Sequence, residues 1–341
     1  MMLNDPATLP LGKLKPEFLA ALLRRYHLPD PRVVVRSGLG LDAAVIDMGD
    51  RYLVAKSDPI TFATDQIGWY AVHVNANDLA AMGATPRWFL ATLLLPEGGT
   101  TEDLVESIFR QVRDACQGLG VSLVGGHTEV THGLGRPIVV GQMLGEVAKD
   151  DLVAPGGARA GDDVLMVGAI AIEGTALIAR ERAADLAARG YEAAFLQRCR
   201  DLLFDPGISV VRAAQLACRT ARIHAMHDPT EGGLATGLWE LAWAANLGLI
   251  VERECIAVLP ECTRLCAEYG LDPLGLIAGG ALLVAVDPAD TPRLLADFAG
   301  AGLPCAVIGR LTPIAAGVRI RQDGREAPLP RYDQDELTRV L

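Results

Sequence analysis

Apolar and polar residues alternate in AAVIDM (43–48) and again in RYLVAKS (51–57). Gly49-Asp50 between them is a turn pair, so the pattern predicts a β-hairpin. From Ile67 to Met82 the spacing becomes helical, and Gly83 supplies the stop. PRWFLATLLL (86–95) reads as a strand, Thr101–Leu119 as a helix, VSLVGG (121–126) as a short strand and PIVVGQMLGEV (137–147) as a longer one. A leader precedes them, with one short helix over about Pro16–Tyr26 and the apolar run Val33–Val35. Strands and helices in this order predict an α+β unit with a mixed sheet.

The Gly- and Pro-rich stretch APGGARAGDD (154–163) marks a boundary. It divides the chain into an N-terminal domain, residues 1–154, and a C-terminal α+β domain, residues 155–341. The second half opens on the strand VLMVGAI (164–170), followed by helices over 174–188, 192–203 and 208–218. DPTEGGLATGLWELAWAA (228–245) predicts a helix with Asp228 as N-cap, Pro229 at its first position and Glu231 completing a capping box.

With 341 residues, half of them hydrophobic, a sizeable core is available. The net charge of −11 argues against nucleic acid or an anionic membrane surface as partner. No apolar run reaches spanning length, and MMLNDPATLP has no secretory pattern, so the expectation is a soluble cytoplasmic protein. Seven scattered cysteines without a C-x-x-C read as buried thiols in a reducing compartment. Only four of the 31 basic residues are lysines, which draws attention to Lys56 beside Ser57 and Asp58.

GLGLDA (38–43) matches G-x-G-x-x-A, the outline of a dinucleotide loop. That loop must open a helix, whose N-terminus meets the pyrophosphate. Here a hairpin follows instead, so the dinucleotide reading is rejected; no P-loop sequence is present either. What remains is a set of acids at element ends or in apolar elements: Asp42, Asp58, Asp78, Glu129 and Asp228. Asp78 stands out. It lies three residues from Asn75 on one helix face, among Val72, Val74, Leu79 and Met82. An ionised carboxylate there is costly unless paired or metal-bound. The bland alternatives are a helix-turn Asp held by backbone donors, and ordinary turn acids at Asp42 and Asp58. Together the three carboxylates suit Mg²⁺, Lys56 suits phosphate oxygens, and the glycines of VGGHTEV (124–130) expose backbone N–H groups to an anion. His127 is the best-placed histidine; His224 and His227 precede a helix rather than lying on it, which disfavours a metal pair.

GLDAAV (40–45), KSD (56–58), NDLAAMGATP (77–86), VGGHT (124–128) and DPTEGGLA (228–235) occur in this order. The set resembles the aminoimidazole-ribotide-synthetase superfamily, which includes selenophosphate synthetase, thiamine-monophosphate kinase and the hydrogenase-maturation protein HypE. AIEGTA (171–176) and GLDPL (270–274) point within it to HypE-like proteins. The resemblance implies an N-terminal domain whose sheet dimerises into a barrel, with ATP near the homodimer interface. It implies Mg²⁺ on Asp42, Asp58 and Asp78, with Asp78, Lys56 and His127 in the chemistry. Gly38, Gly40, Ser57, Asn77, Gly125, Gly126, Thr128 and Asp228 would line the nucleotide. The implied activity is phosphoryl transfer from ATP to an oxygen-bearing substrate, small or carrier-bound, with a maturation protein as a further partner. The alternatives are a nucleotide-binding regulator without turnover and a thiamine-monophosphate-kinase-like enzyme. The chain departs from relatives at Leu41, where many carry an acid, and at IAGGA (277–281), where an N-E-G-like signature is usual. It ends ELTRVL, with Cys305 the nearest cysteine, so the HypE reaction on a terminal cysteine is not expected.

Overall fold

The computed structural model describes residue 9, residues 12–36 and residues 42–341. After helix α1 (Pro16–Arg25) come strands β1 (Val33–Val35), β2 (Ala44–Asp47) and β3 (Arg51–Ile60), then α2 (Ile67–Ala81), β4 (Thr85–Pro96), α3 (Glu102–Leu119), β5 (Ser122–Thr131) and β6 (Ile138–Ala148). The six strands form one sheet in the order β1-β2-β3-β6-β4-β5. Every neighbour is antiparallel except the β4–β5 pair, whose crossover runs through α3. The predicted hairpin is present as β2–β3. Thr101 caps α3, its hydroxyl accepting from the Leu104 N–H.

VSLVGG was expected to end at its glycines. Instead β5 continues through Gly125 and Gly126 to Thr131, because parallel pairing with β4 carries on past a bulge. The glycine at 126 is required there: φ is +145°, and a Cβ would stand 1.9 Å from the Ala91 carbonyl oxygen.

Along β6 every second residue is buried, and α2 and α3 cover the face carrying Val54, Phe89, Leu93, Val139 and Met143. The opposite face carries Leu53, Ala55, Leu90, Leu94, Val140 and Leu144, all only partly buried. Strand β5, at the sheet's edge, is exposed along nearly its whole length.

The second sheet is built from β7 (Asp163–Val167), β8 (Ala225–His227), β9 (Gly248–Glu252), β10 (Leu282–Val286), β11 (Cys305–Thr312), β12 (Val318–Gln322) and β13 (Arg325–Pro328). Their order is β13-β12-β9-β11-β7-β10-β8. Its helices are α4 (Ile172–Glu181), α5 (Ala183–Ala188), α6 (Ala193–Asp201), α7 (Val211–Thr220), α8 (Gly233–Ala244), α9 (Pro260–Tyr269) and α10 (Thr291–Gly300). The helix expected over 174–188 is thus two, broken at Arg182. The first sheet ends at Ala148 and the second begins at Asp163; the division proposed after Ala154 falls in that stretch. No described helix is long and apolar enough to cross a membrane.

Helix α2 joins the two units. Its residues are buried almost all round, as befits an apolar helix held on both sides. One face lies on β3, β6 and β4; elsewhere it meets α7 and β8. Its buried polar residues do the docking. The Asn75 side-chain oxygen accepts from the Asp58 N–H at 2.9 Å, and its amide donates to the Ala71 and Asp58 carbonyls. This works because β2 stops pairing at Ala55, leaving the β3 edge beyond it open. The Asn77 amide donates to the Ile208 carbonyl at 2.8 Å, and its oxygen accepts from the Val210 N–H at 2.9 Å. One turn of α2 therefore bonds both to the first sheet and to the second unit.

Candidate functional site

Lys56 and Asp58 are two apart on β3 and share the face toward α2. Asp78, one turn beyond Asn75, is brought against them. The Lys56 Nζ lies 3.1 Å from Asp78 Oδ1 and 3.2 Å from Asp58 Oδ2. Ser57, between them, points to the opposite face and is exposed. Burial works against the Lys56 charge, but Asp78, Asp58 and Asp42 outweigh it and hold the ammonium protonated. Asp78 is pushed well above the ordinary carboxylate range by burial; Lys56 opposes the shift, while Asp228, Asp58 and Asp42 add to it.

The second unit supplies the other wall. DPTEGG was expected to start a helix on an Asp228 cap. The structure corrects this: α8 begins at Gly233, and its N-cap is Gly232 in the left-handed region. Two adjacent glycines permit φ of +82° and +66°, so the chain turns sharply before the helix. Asp228 is thereby released from capping and buried at the end of β8. Glu231, expected in a capping box, pairs with Lys13 at 2.8 Å instead.

Asp42, His227 and Asp228 meet there, all buried, each with a ligand-type atom within 4.8 Å of the others. The His227 Nδ1 lies 2.8 Å from Asp42 Oδ1 and its Nε2 lies 3.0 Å from Glu240 Oε2 on α8. Burial would discharge the ring, but Asp42 and Glu240 outweigh it and raise His227 well above its ordinary value. Burial, then Asp42, lift Asp228 to about 8, against His227 and Lys56. Three buried oxygens, Asp42 Oδ2, Asp78 Oδ2 and Asp228 Oδ1, have no hydrogen-bond partner. Four aspartates thus share two basic side chains, and three acceptors are left over. Buried carboxyls kept from ionising together by burial and mutual repulsion would be stabilised by a cation, and oxygen donors of this kind fit a hard divalent ion.

The structure therefore brings together Asp42, Lys56, Asp58, Asp78 and Asp228. Asn77 sits beside them, but both ends of its amide are taken by residues 208 and 210. Gly125, Gly126, His127 and Thr128 are elsewhere. Gly126 lies in one row with Ala91, Gly141 and Asp58, three strand spacings from β3, or about 14 Å. His127 is exposed, with Nε2 3.1 Å from Glu129. Gly38 and Gly40 lie outside the described residues.

His227, discounted as a ligand in the sequence, is central; Glu240 and Glu173 were not singled out. The usable signals were a histidine directly before Asp228 and a lone glutamate within the apolar stripe of α8. Glu173, in the first turn of α4, is also buried, and one of its oxygens has no partner. It receives the Gly279 N–H, and burial lifts it to about 8. A Cβ on residue 279 would stand 2.1 Å from its Oε2. The glycine in IAGGA is thus fitted to this carboxyl.

Both the sequence and the fold have known relatives. Residues 40–147 match the model for the N-terminal domain of AIR synthase related protein, and residues 159–319 match that for its C-terminal domain. A putative hydrogenase expression/formation protein, MJ0676 of Methanocaldococcus jannaschii, is 30% identical over 271 residues, covering 76% of this chain and 77% of that one. The carbamoyl dehydratase HypE of Cupriavidus necator is 30% identical over 272 residues, covering 78% and 74%. The hydrogenase maturation protein HypE in complex with ATP has a TM-score of 0.73 and 26% identity, covering 97% of this chain and 98% of that one.

Proposed function

Because the chain belongs to the AIR synthase related family, we propose that it is a Mg²⁺–ATP-dependent enzyme that activates an oxygen-bearing substrate by phosphoryl transfer. The relatives named for hydrogenase formation and carbamoyl dehydration favour a role in metallocentre maturation, on a small or carrier-bound substrate and with a protein partner. The observation that carries the reading is the buried carboxyl cluster: Lys56 held between Asp58 and Asp78, with unpartnered oxygens on Asp42, Asp78 and Asp228.

Phosphoryl transfer asks little covalent chemistry of a protein; it asks for positioning and charge neutralisation. Asp42, Asp58 and Asp78, with Asp228, would hold Mg²⁺, which neutralises phosphate oxygens when bound. Lys56 contributes a fixed positive charge for a phosphate oxygen. Asp78, whose carboxyl burial pushes up in the free protein, would give up its proton as the cation binds. The half-covered apolar face of the first sheet and the open β5 edge support a homodimer formed through that sheet. A second copy would bring Gly125, Gly126, His127 and Thr128 toward a nucleotide that one chain's β3 cannot share with its own β5.

Calorimetric titration with ATP, with and without Mg²⁺, tests this. Mg²⁺-dependent binding, lost in Asp78→Ala, is expected; no binding to the folded wild-type protein overturns it. One observation favours a nucleotide-binding partner without turnover: Asp42 Oδ1 is already engaged by His227. That reading predicts ATP binding with no release of ADP or phosphate.

A further inference from the structure

Residues 276–279 are held from two sides. The Gly174 N–H of α4 donates to the Ile277 carbonyl at 3.4 Å, and a Cβ at 174 would stand 2.4 Å from Leu276. The Ala278 N–H donates at 3.4 Å to the carbonyl of Thr230, two residues beyond Asp228. The first turn of α4 is thus pressed onto a segment that the Asp228 loop also grips. Glu173 lies in that turn, 4% exposed. Its carboxyl fills the place where a side chain of residue 279 would begin: the three atoms nearest to a Cβ built there all belong to Glu173. Gly279 is not among the glycines with positive φ. Its backbone therefore accepts a side chain, and the Glu173 carboxyl is what excludes one.

The neighbouring acids are otherwise engaged. Glu231 pairs with Lys13, and Asp335 accepts from the Gly232 and Leu337 N–H groups at 2.7 and 2.8 Å. Asp228 belongs to the cluster with Asp42 and His227. Glu173 receives the Gly279 N–H but keeps Oε2 without a partner. The charges that act on it most, Glu231, Asp335 and Asp228, are all acidic. From α2 it faces Tyr70, whose buried hydroxyl is also unpartnered. A carboxyl in such company repels a phosphate; what it can take is a proton.

We propose that Glu173 Oε2 is the proton acceptor for the oxygen-bearing substrate, presented from α4 at the place that Gly279 leaves open. The proposal rests on the phosphoryl-transfer reading and deepens it by naming the base. As the bond from the substrate oxygen to the γ-phosphorus forms and the bond from that phosphorus to the bridging oxygen of ADP breaks, the substrate's proton passes to Oε2 and later to solvent. A carboxyl lifted to about 8 suits this task near neutral pH. The segment is also the one where the chain lacks the N-E-G-like signature, so the helix returns a carboxyl that the loop has lost.

Water serves as the probe acceptor, and ADP release from ATP with Mg²⁺ is followed in the full-length protein from about pH 6 to about pH 9. Wild-type turnover should rise with pH and level off above about 8, as Glu173 ionises. Glu173→Gln should bind ATP as the wild type does in calorimetry, lose about a hundredfold or more in turnover, and lose the rise with pH. Glu173→Ala combined with Gly279→Asp returns a carboxyl to the same place from the loop, and should recover about tenfold or more over Glu173→Ala alone. A merely structural Glu173 would move neither the pH profile nor this recovery. Should Glu173→Gln fail to fold, the double variant and the wild-type profile decide. Unchanged turnover in Glu173→Gln, or a flat wild-type profile, overturns the proposal while leaving the Mg²⁺–ATP reading standing. A wild-type protein that binds no ATP overturns both.

Discussion

Two stretches of the first sheet carry the chemistry suggested by the sequence, and the fold treats them in opposite ways. At β3, Lys56 and Asp58 are drawn under α2 and paired with Asp78, away from most water. At β5, Gly125–Thr128 lie on a bare edge, with His127 exposed and paired only to Glu129. One is drawn into the interior of a single chain; the other is exposed along the sheet's edge. The difference teaches that motifs adjacent in a family pattern need not be neighbours in one protomer. Burial shows which of them a single chain can already organise.

The sharpest way to break that contrast is at Lys56. Lys56→Ala removes the cation between half-buried Asp58 and buried Asp78, leaving both carboxyls without their partner. A loss of about 3–5 kcal/mol in chemical denaturation is expected, the usual cost of removing one partner of a buried pair; saturating Mg²⁺ should restore part of it. An unchanged midpoint would mean the pair is not sequestered from water. At the other stretch the effect comes from backbone. Gly126→Ala places a Cβ against the Ala91 carbonyl and should cost about 2–3 kcal/mol. Gly125→Ala meets only the Leu90 side chain, at 3.9 Å, and should be close to neutral. Equal losses at the two positions would show that β5 does not pair as described.

A control lies outside both stretches. Glu173 is buried and lifted to about 8. Its neutral form is favoured by the fold, so its contribution is present at low pH and lost as pH rises from about 4.5 to about 8. Stability should fall across that window, and Glu173→Gln should flatten the slope; an unaltered slope would assign the pH dependence to another group. The smallest structural effect belongs to His127→Ala. Melting temperature should stay unchanged while ATP turnover falls, because the side chain is exposed and its pairing with Glu129 is weak. Retained turnover would remove His127 from the chemistry.

The hairpin, α2, α3 and the mixed sheet were legible because alternation and helical spacing are local signals. So was the cost of burying Asp78; Lys56 stood out separately, as one of only four lysines. The exit of β5 was misjudged because Gly125 and Gly126 read as a terminus, whereas pairing with β4 is a long-range fact that no window of sequence contains. Asp228 was placed in a cap for a related reason. D-P-T-E satisfies every local rule for a helix start, yet the helix waits for Gly232 and Gly233. His227 was dismissed on that misplaced helix; with the boundary moved, it stands beside Asp42, 185 residues away in sequence.

The clamp made by Asn77 has a consequence for how such chains diverge. Its partners are the main-chain carbonyl of residue 208 and the main-chain N–H of residue 210, not side chains. Any amino acid at the first position, and any but proline at the second, can offer the same hold. Substitutions can therefore accumulate in that segment without loosening the grip of α2. The C-terminal half is left free to change along this segment while keeping that hold on α2, and a hybrid built from two distant relatives would retain the Asn77 bonds whatever side chains it carries at 208 and 210, proline at 210 excepted.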